Sequence, residues 1–163
     1  MACRLRAWWT AAEHRGIAEL QTIGHSVRGM PIYAMKVTKH ARWTRDGRRP
    51  AVLYWSLQHA REWLAGETGR RTLRMFLDNY GRRGAAVGTD GQPIEGVSAR
   101  EITRLVNTRE LWFILVANPD GYDFTFDPPN RLWPKNLRDD NGDGGASHDG
   151  SPLCCACTLS FSP

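Results

Sequence analysis

The chain lacks an apolar run long enough to cross a membrane, for which about 20 consecutive residues are needed. Its first stretch, MACRLRAWWTAAEHRG, holds arginines and tryptophans but no sustained apolar core of the kind an export signal carries. Cysteine is scarce and badly placed for a framework. Of four, Cys154, Cys155 and Cys157 crowd the last ten residues, and Cys3 stands at the other end. A C-C-x-C cluster with no C-x-x-C partner argues against a zinc ribbon, and this spacing suits free thiols in a tail rather than a disulfide scaffold. Histidine is also sparse: of five, only His148 follows His59. No internal repeat is visible.

What is present reads as one globular domain. The chain has 163 residues, 41% apolar and 24% charged, which is ordinary for such a domain. The net charge of +5 comes from arginine clusters at Arg45, Arg48 and Arg49, at Arg70, Arg71 and Arg74, and at Arg82 and Arg83. No nucleic-acid motif accompanies them, so they read as solvated faces. Neither nucleic acid nor a membrane is expected as a partner.

Apolar patterning predicts a short strand over 18–23, a turn over 24–31 and a strand over 32–37 that is apolar except for Lys36. RWTRDGRRP reads as a polar loop with an Asp46-Gly47 turn. AVLYWSL (51–57) is expected to be a strand buried on both faces. A helix is predicted over 62–80, with Leu73, Phe76, Leu77 and Tyr80 on one face and Gly81 at its end. A glycine-rich loop follows, then a helix over 97–105 with Glu101 and Arg104 outward. The apolar strand LWFILV (111–116) stops at a strong turn, Asn118-Pro119-Asp120-Gly121. This order predicts an α/β fold with a mixed, mostly parallel sheet flanked by helices. From Asp139 the chain turns polar and turn-forming, and fold signal ends near residue 145. The expected organisation is an atypical segment over 1–16, a domain over 17–145 and a disordered tail over 146–163.

YWSLQHAREWLAGE (54–67) carries the chemistry. An apolar strand ends in His59, and Glu62 follows three residues later at a helix start. Ligands in open α/β sheets gather outside the carboxyl ends of strands, where such a pair can face one ion if the chain bends between its members. Alone, H-x-x-E is weak: a glutamate also favours the positive end of a helix dipole for structural reasons.

Several stretches together narrow the choice. IGHSVRGMPIYAMKV, HAREW, ANPDGY, NRLWPKN and RDDNGDG occur in this order. The chain resembles the zinc carboxypeptidases of the carboxypeptidase A type from about Ile17 to Gly144. The resemblance implies a carboxypeptidase-like fold, a Zn2+ cofactor, and hydrolysis of the last peptide bond at the C-termini of peptides or proteins. It implies that His59 and Glu62 are the first two zinc ligands and that Arg61 contacts the peptide. It also implies that Trp63 packs the helix start and that Asp120 stabilises its own turn rather than acting as an acid.

The departures from that family carry equal weight. Pro134 stands where family members have an arginine that polarises the scissile carbonyl, and proline offers no side-chain or backbone donor. After Gly144 no position matches the family's asparagine-arginine motif, third zinc ligand, substrate-capping tyrosine or general-base glutamate. No catalytic residue is therefore assigned. The chain is expected to be the N-terminal part of such a domain, incomplete at the C-terminus and inactive. The alternative is a non-catalytic metal- or peptide-binding remnant of the same fold. An open edge on the 111–116 strand is expected to favour aggregation. A calcium loop is a weaker reading: Asp139, Asn141, Asp143 and Gly144 fit its first positions, but Gly150 stands where a bidentate glutamate is required.

Overall fold

The computed structural model describes residues 11–139, with 142 and 146. In chain order these form β1 (Ala18–His25), β2 (Pro31–Val37), β3 (Ala51–Trp55), α1 (Trp63–Asn79), β4 (Ala85–Val87), β5 (Pro93–Ser98), α2 (Ala99–Thr108), β6 (Glu110–Ile114), α3 (Pro119–Phe124) and a 3-10 turn (Asn130–Leu132). The chain divides into two compact units. Among the described residues, one gathers 11–21 with 34–54 and 68–113; the other gathers 22–33, 55–67 and 114–139.

Four strands form a sheet in the order β1-β2-β6-β3. Strands β2 and β6 are antiparallel, with Met35 opposite Phe113, Lys36 opposite Trp112 and Val37 opposite Leu111. Strands β3 and β6 run parallel: Glu110 N donates to the Pro50 carbonyl where they begin (3.1 Å), and Ser56 N donates to the Ile114 carbonyl where they end (3.0 Å). The sheet is thus mixed and flanked by helices, as the sequence predicts.

The apolar stripe of α1 buries Leu73, Phe76 and Leu77 at helical spacing. Phe76 meets Tyr54 and Phe113, which stack with centroids 4.6 Å apart. This aromatic trio fixes the helix on the sheet. Helix α1 ends at Asn79, whose buried amide donates to the Met75 and Val87 carbonyls and accepts from Val87 N. Gly81 then takes a positive φ of 76°, the left-handed conformation glycine adopts without a Cβ penalty.

The sheet also buries charge. Lys36, the polar exception in β2, has a fully buried side chain that donates to the Thr44 carbonyl and pairs with Asp46, with Trp112 beneath it at 5.5 Å. Buried Glu110 accepts from Gly47 N and Arg49 N. Each charge has partners, as burial demands. Together they tie the β2–β3 loop to the sheet.

The structure corrects four expectations. AVLYW is not buried on both faces: only Tyr54 is partly covered, and Leu53 is 54% exposed. The strand lies at one edge of the sheet, where side chains on both faces have a neighbouring strand on one side only. The strand expected to have an open edge, β6, lies inside between β2 and β3 and is buried at four of its five residues. The glycine-rich loop contains an antiparallel hairpin, β4–β5. Val97 belongs to β5 rather than to a helix; α2 begins at Ala99 after Ser98, which forms a capping box with Glu101. Glu101 and Arg104 do face outward.

Candidate metal centre

The site is formed within the second unit, where β3 gives way to α1. The strand breaks at Leu57, which takes a left-handed φ of 54°, costing about 1–2 kcal/mol for a residue with a Cβ. Its side chain is buried against Gly66 of α1, where a Cβ would lie 2.5 Å from the Leu57 Cδ1. Glycine at 66 therefore makes room for the turn that carries His59.

Hydrogen bonds hold that turn from three directions. Ala117 N and Asn118 N donate to the Ser56 and Leu57 carbonyls (both 3.1 Å). Ala60 N donates to the Pro134 carbonyl (3.0 Å). The Asn118 amide donates to the carbonyls of Gln58 (3.3 Å) and Lys135 (2.9 Å). On this frame the His59 Nδ1 lies 3.0 Å from the Glu62 Oε1, and the two side chains are 44% and 50% exposed. Glu62 immediately precedes α1, at the positive end of the helix.

Arg61 lies between them and is exposed. Its carbonyl accepts from the Arg131 guanidinium (3.1 Å), which stacks over the Trp63 ring at 3.8 Å. The Trp63 indole donates to the Thr125 hydroxyl (2.8 Å) and stacks on Phe126 at 4.5 Å. It packs the start of α1, as expected.

The Asn118–Gly121 segment is not a turn between elements. It opens the helix α3, with Asn118 as N-cap accepting from Gly121 N (3.0 Å) and Pro119 in the first turn. Gly121 has no room for a Cβ, which would meet the Lys135 carbonyl and the Asn118 side chain. Asp120 is buried and stabilises a distant turn rather than its own. It accepts from the Ser26 hydroxyl (2.6 Å) and from Arg28 N (2.9 Å) in the β1–β2 connection.

Pro134 contributes its carbonyl to the frame and no donor. The Arg131 guanidinium is engaged by Trp63 and the Arg61 carbonyl. Among the described residues no three His, Cys, Asp or Glu side chains come together as a metal site. His148 and most of the calcium reading, at Asn141, Asp143, Gly144 and Gly150, lie outside the described residues. Asp139 is described, and its carboxylate accepts from Gly142 N (2.6 Å).

The pair's hydrogen-bonded spacing is close to that of two zinc ligands. Two nitrogen or oxygen ligands on a tetrahedral zinc stand roughly 3.3 Å apart, given bond lengths near 2.0–2.2 Å. The His59 and Glu62 donor atoms are at 3.0 Å, so a small separation admits one ion to both. The donor types also suit zinc, which takes imidazole nitrogen and carboxylate oxygen.

Residues 6–157 match the family model described as zinc carboxypeptidase. The chain belongs to the zinc carboxypeptidase family. Carboxypeptidase A1 of Bos taurus is 30% identical over 124 residues, which cover 76% of this chain and 24% of the relative. A zinc carboxypeptidase of Saccharothrix mutabilis subsp. capreolus is 27% identical, covering 78% of this chain and 25% of that protein. The chain thus spans about a quarter of the length of the curated relatives it matches. Among solved structures, thrombin activatable fibrinolysis inhibitor superposes with a TM-score of 0.68 at 21% identity, over 89% of this chain and 31% of its own. The carboxypeptidase A of Helicoverpa armigera gives 0.61 at 23% identity, over 83% and 27%. These likenesses establish the carboxypeptidase fold for this member of the zinc carboxypeptidases.

Proposed function

We propose that His59 and Glu62 are the first two protein ligands of a zinc ion in a metallocarboxypeptidase site acting on the C-termini of peptides. The observation that carries this reading is the 3.0 Å approach of the His59 Nδ1 to the Glu62 Oε1 at the carboxyl end of a parallel strand. Zinc at such a site supplies a Lewis acid for the scissile carbonyl and acidifies water. His59 and Glu62 must exchange their mutual hydrogen bond for the metal. The frame from Ser56, Ala60 and Asn118 keeps their backbones in place while they do so. Arg61 projects from the same turn, where its guanidinium suits the carbonyls or carboxylate of a bound peptide.

The 163-residue chain by itself is proposed to be inactive. No three His, Cys, Asp or Glu side chains come together as a metal site among the described residues, and Pro134 offers no carbonyl-polarising donor. Pro134 also favours a second reading, a non-catalytic peptide- or metal-binding remnant. NMR of the histidine rings during zinc addition tests the ligand assignment: His59 should respond before His14, His25 and His40. A first response from any of those three would refute it. Zinc-dependent release of C-terminal residues from peptides by the purified chain would refute inactivity.

A further inference from the structure

We propose that the loop joining β2 to β3 is a docking surface for anionic lipid headgroups. Residues 38–50 include Lys39, Arg42, Arg45, Arg48 and Arg49 against a single acid, Asp46. Asp46 is engaged by buried Lys36, so its charge is already answered from within. Lys39, Arg42, Arg45 and Arg48 are exposed, and no described carboxylate pairs with them. Among these cations Trp43 is 87% exposed, more than any other large apolar side chain described.

The loop is anchored rather than slack. Lys39 N and His40 N donate to the Val106 and Gly16 carbonyls (2.9 and 2.8 Å). Trp43 N and Thr44 N return to the His40 carbonyl (2.8 and 2.9 Å), and Gly47 N and Arg49 N are held by Glu110. The buried partners thus fix the backbone while the charged side chains and the indole face water. A surface prepared in this way has little backbone left to order on binding.

Charge complementarity selects an anionic partner, and the aromatic narrows it. Tryptophan favours the membrane–water interface, and clusters of four to eight Lys or Arg bind acidic headgroups. Single-stranded nucleic acid is bound by successive aromatic platforms along a basic groove. This loop offers one indole in a compact basic cluster, which fits a lipid surface better.

Co-sedimentation of the full 163-residue chain with vesicles tests the assignment. One set is phosphatidylcholine alone; the other contains about a third phosphatidylserine. Partition into the anionic vesicles should exceed that into neutral ones by more than about tenfold and should fall with salt. R42E/R45E should reduce it by about 25-fold or more, at roughly fivefold per cation. W43A should weaken it several-fold. R82E/R83E makes the same charge change at exposed positions elsewhere and should leave partition near wild type. Equal partition into both vesicle types, or equal damage from the two double variants, would overturn the proposal. So would tighter binding to single-stranded DNA than to anionic vesicles that is lost in R42E/R45E. Circular dichroism on each variant separates loss of binding from loss of fold.

Discussion

Asn118 binds more of the candidate metal centre together than any residue the sequence singles out. Its carbonyl oxygen caps α3, and its amide joins the carbonyls of Gln58 and Lys135. Asn118→Ala removes the cap and strips two carbonyls of a partner, so a loss of about 2 kcal/mol or more is expected in denaturant unfolding. Asp120 acts similarly for the β1–β2 turn. Asp120→Ala should cost about 1.5–3 kcal/mol, because it removes the charged acceptor of the Ser26 hydroxyl and the Arg28 N–H. An unchanged midpoint for either variant would contradict its structural role. At this scale the sequence displays identity but not reach. The Asn-Pro-Asp-Gly string satisfies turn rules, yet Asn118 with a following proline is equally the signature of a helix start. The partners of Asp120 lie more than 90 residues away, so no local pattern could reveal them.

Elements place the site, and the start of α1 is a close junction between two of them. Gly66→Ala should destabilise by about 1–3 kcal/mol, since the new methyl meets Leu57 in a turn already in a left-handed conformation. A neutral or stabilising result, as expected for alanine in an open helix, would contradict the packing described. Helix α2 makes a pH prediction. The Ser98 hydroxyl and backbone N–H bind the Glu101 carboxylate and hold its pKa below the ordinary glutamate value. A depressed folded-state pKa means a contribution present above the ordinary value and lost as pH falls through the folded one. Acid titration of thermal stability should therefore be shallower over that range in Glu101→Gln than in wild type; an identical profile would contradict this. The helix was expected from 97, and the S-A-R-E capping box that starts it at Ala99 was not among the signals used. The β4–β5 hairpin was not legible, because glycine-rich stretches support turns and short strands equally well. Exposure along β3 was hidden too. A run of apolar residues shows that a strand can be buried, while strand order decides whether it is.

On the scale of the molecule, the mixed α/β architecture was readable from the apolar patterns of strands and helices, while the His59–Glu62 pair stood out only through the surrounding stretches that resemble a known family, since H-x-x-E alone is weak. The edge position of β3 was not readable. That edge exposes Val52, Leu53 and Trp55, a patch that invites edge-to-edge pairing. Light scattering should show self-association of the chain that V52K/L53K suppresses, since lysine on an edge blocks such pairing. Unchanged scattering would contradict the assignment of β3 as the exposed edge. The chain matches about a quarter of the length of its carboxypeptidase relatives, and within that part the two candidate ligands are already close.

The central claim is that His59 and Glu62 bind one metal ion together, and calorimetric titration of the chain with Zn2+ tests it most directly. Wild type should bind one equivalent, with affinity reduced in both His59→Ala and Glu62→Ala by more than the roughly 10–100-fold that loss of a partner behind a ligand costs. Equal affinity in wild type and both variants would contradict it.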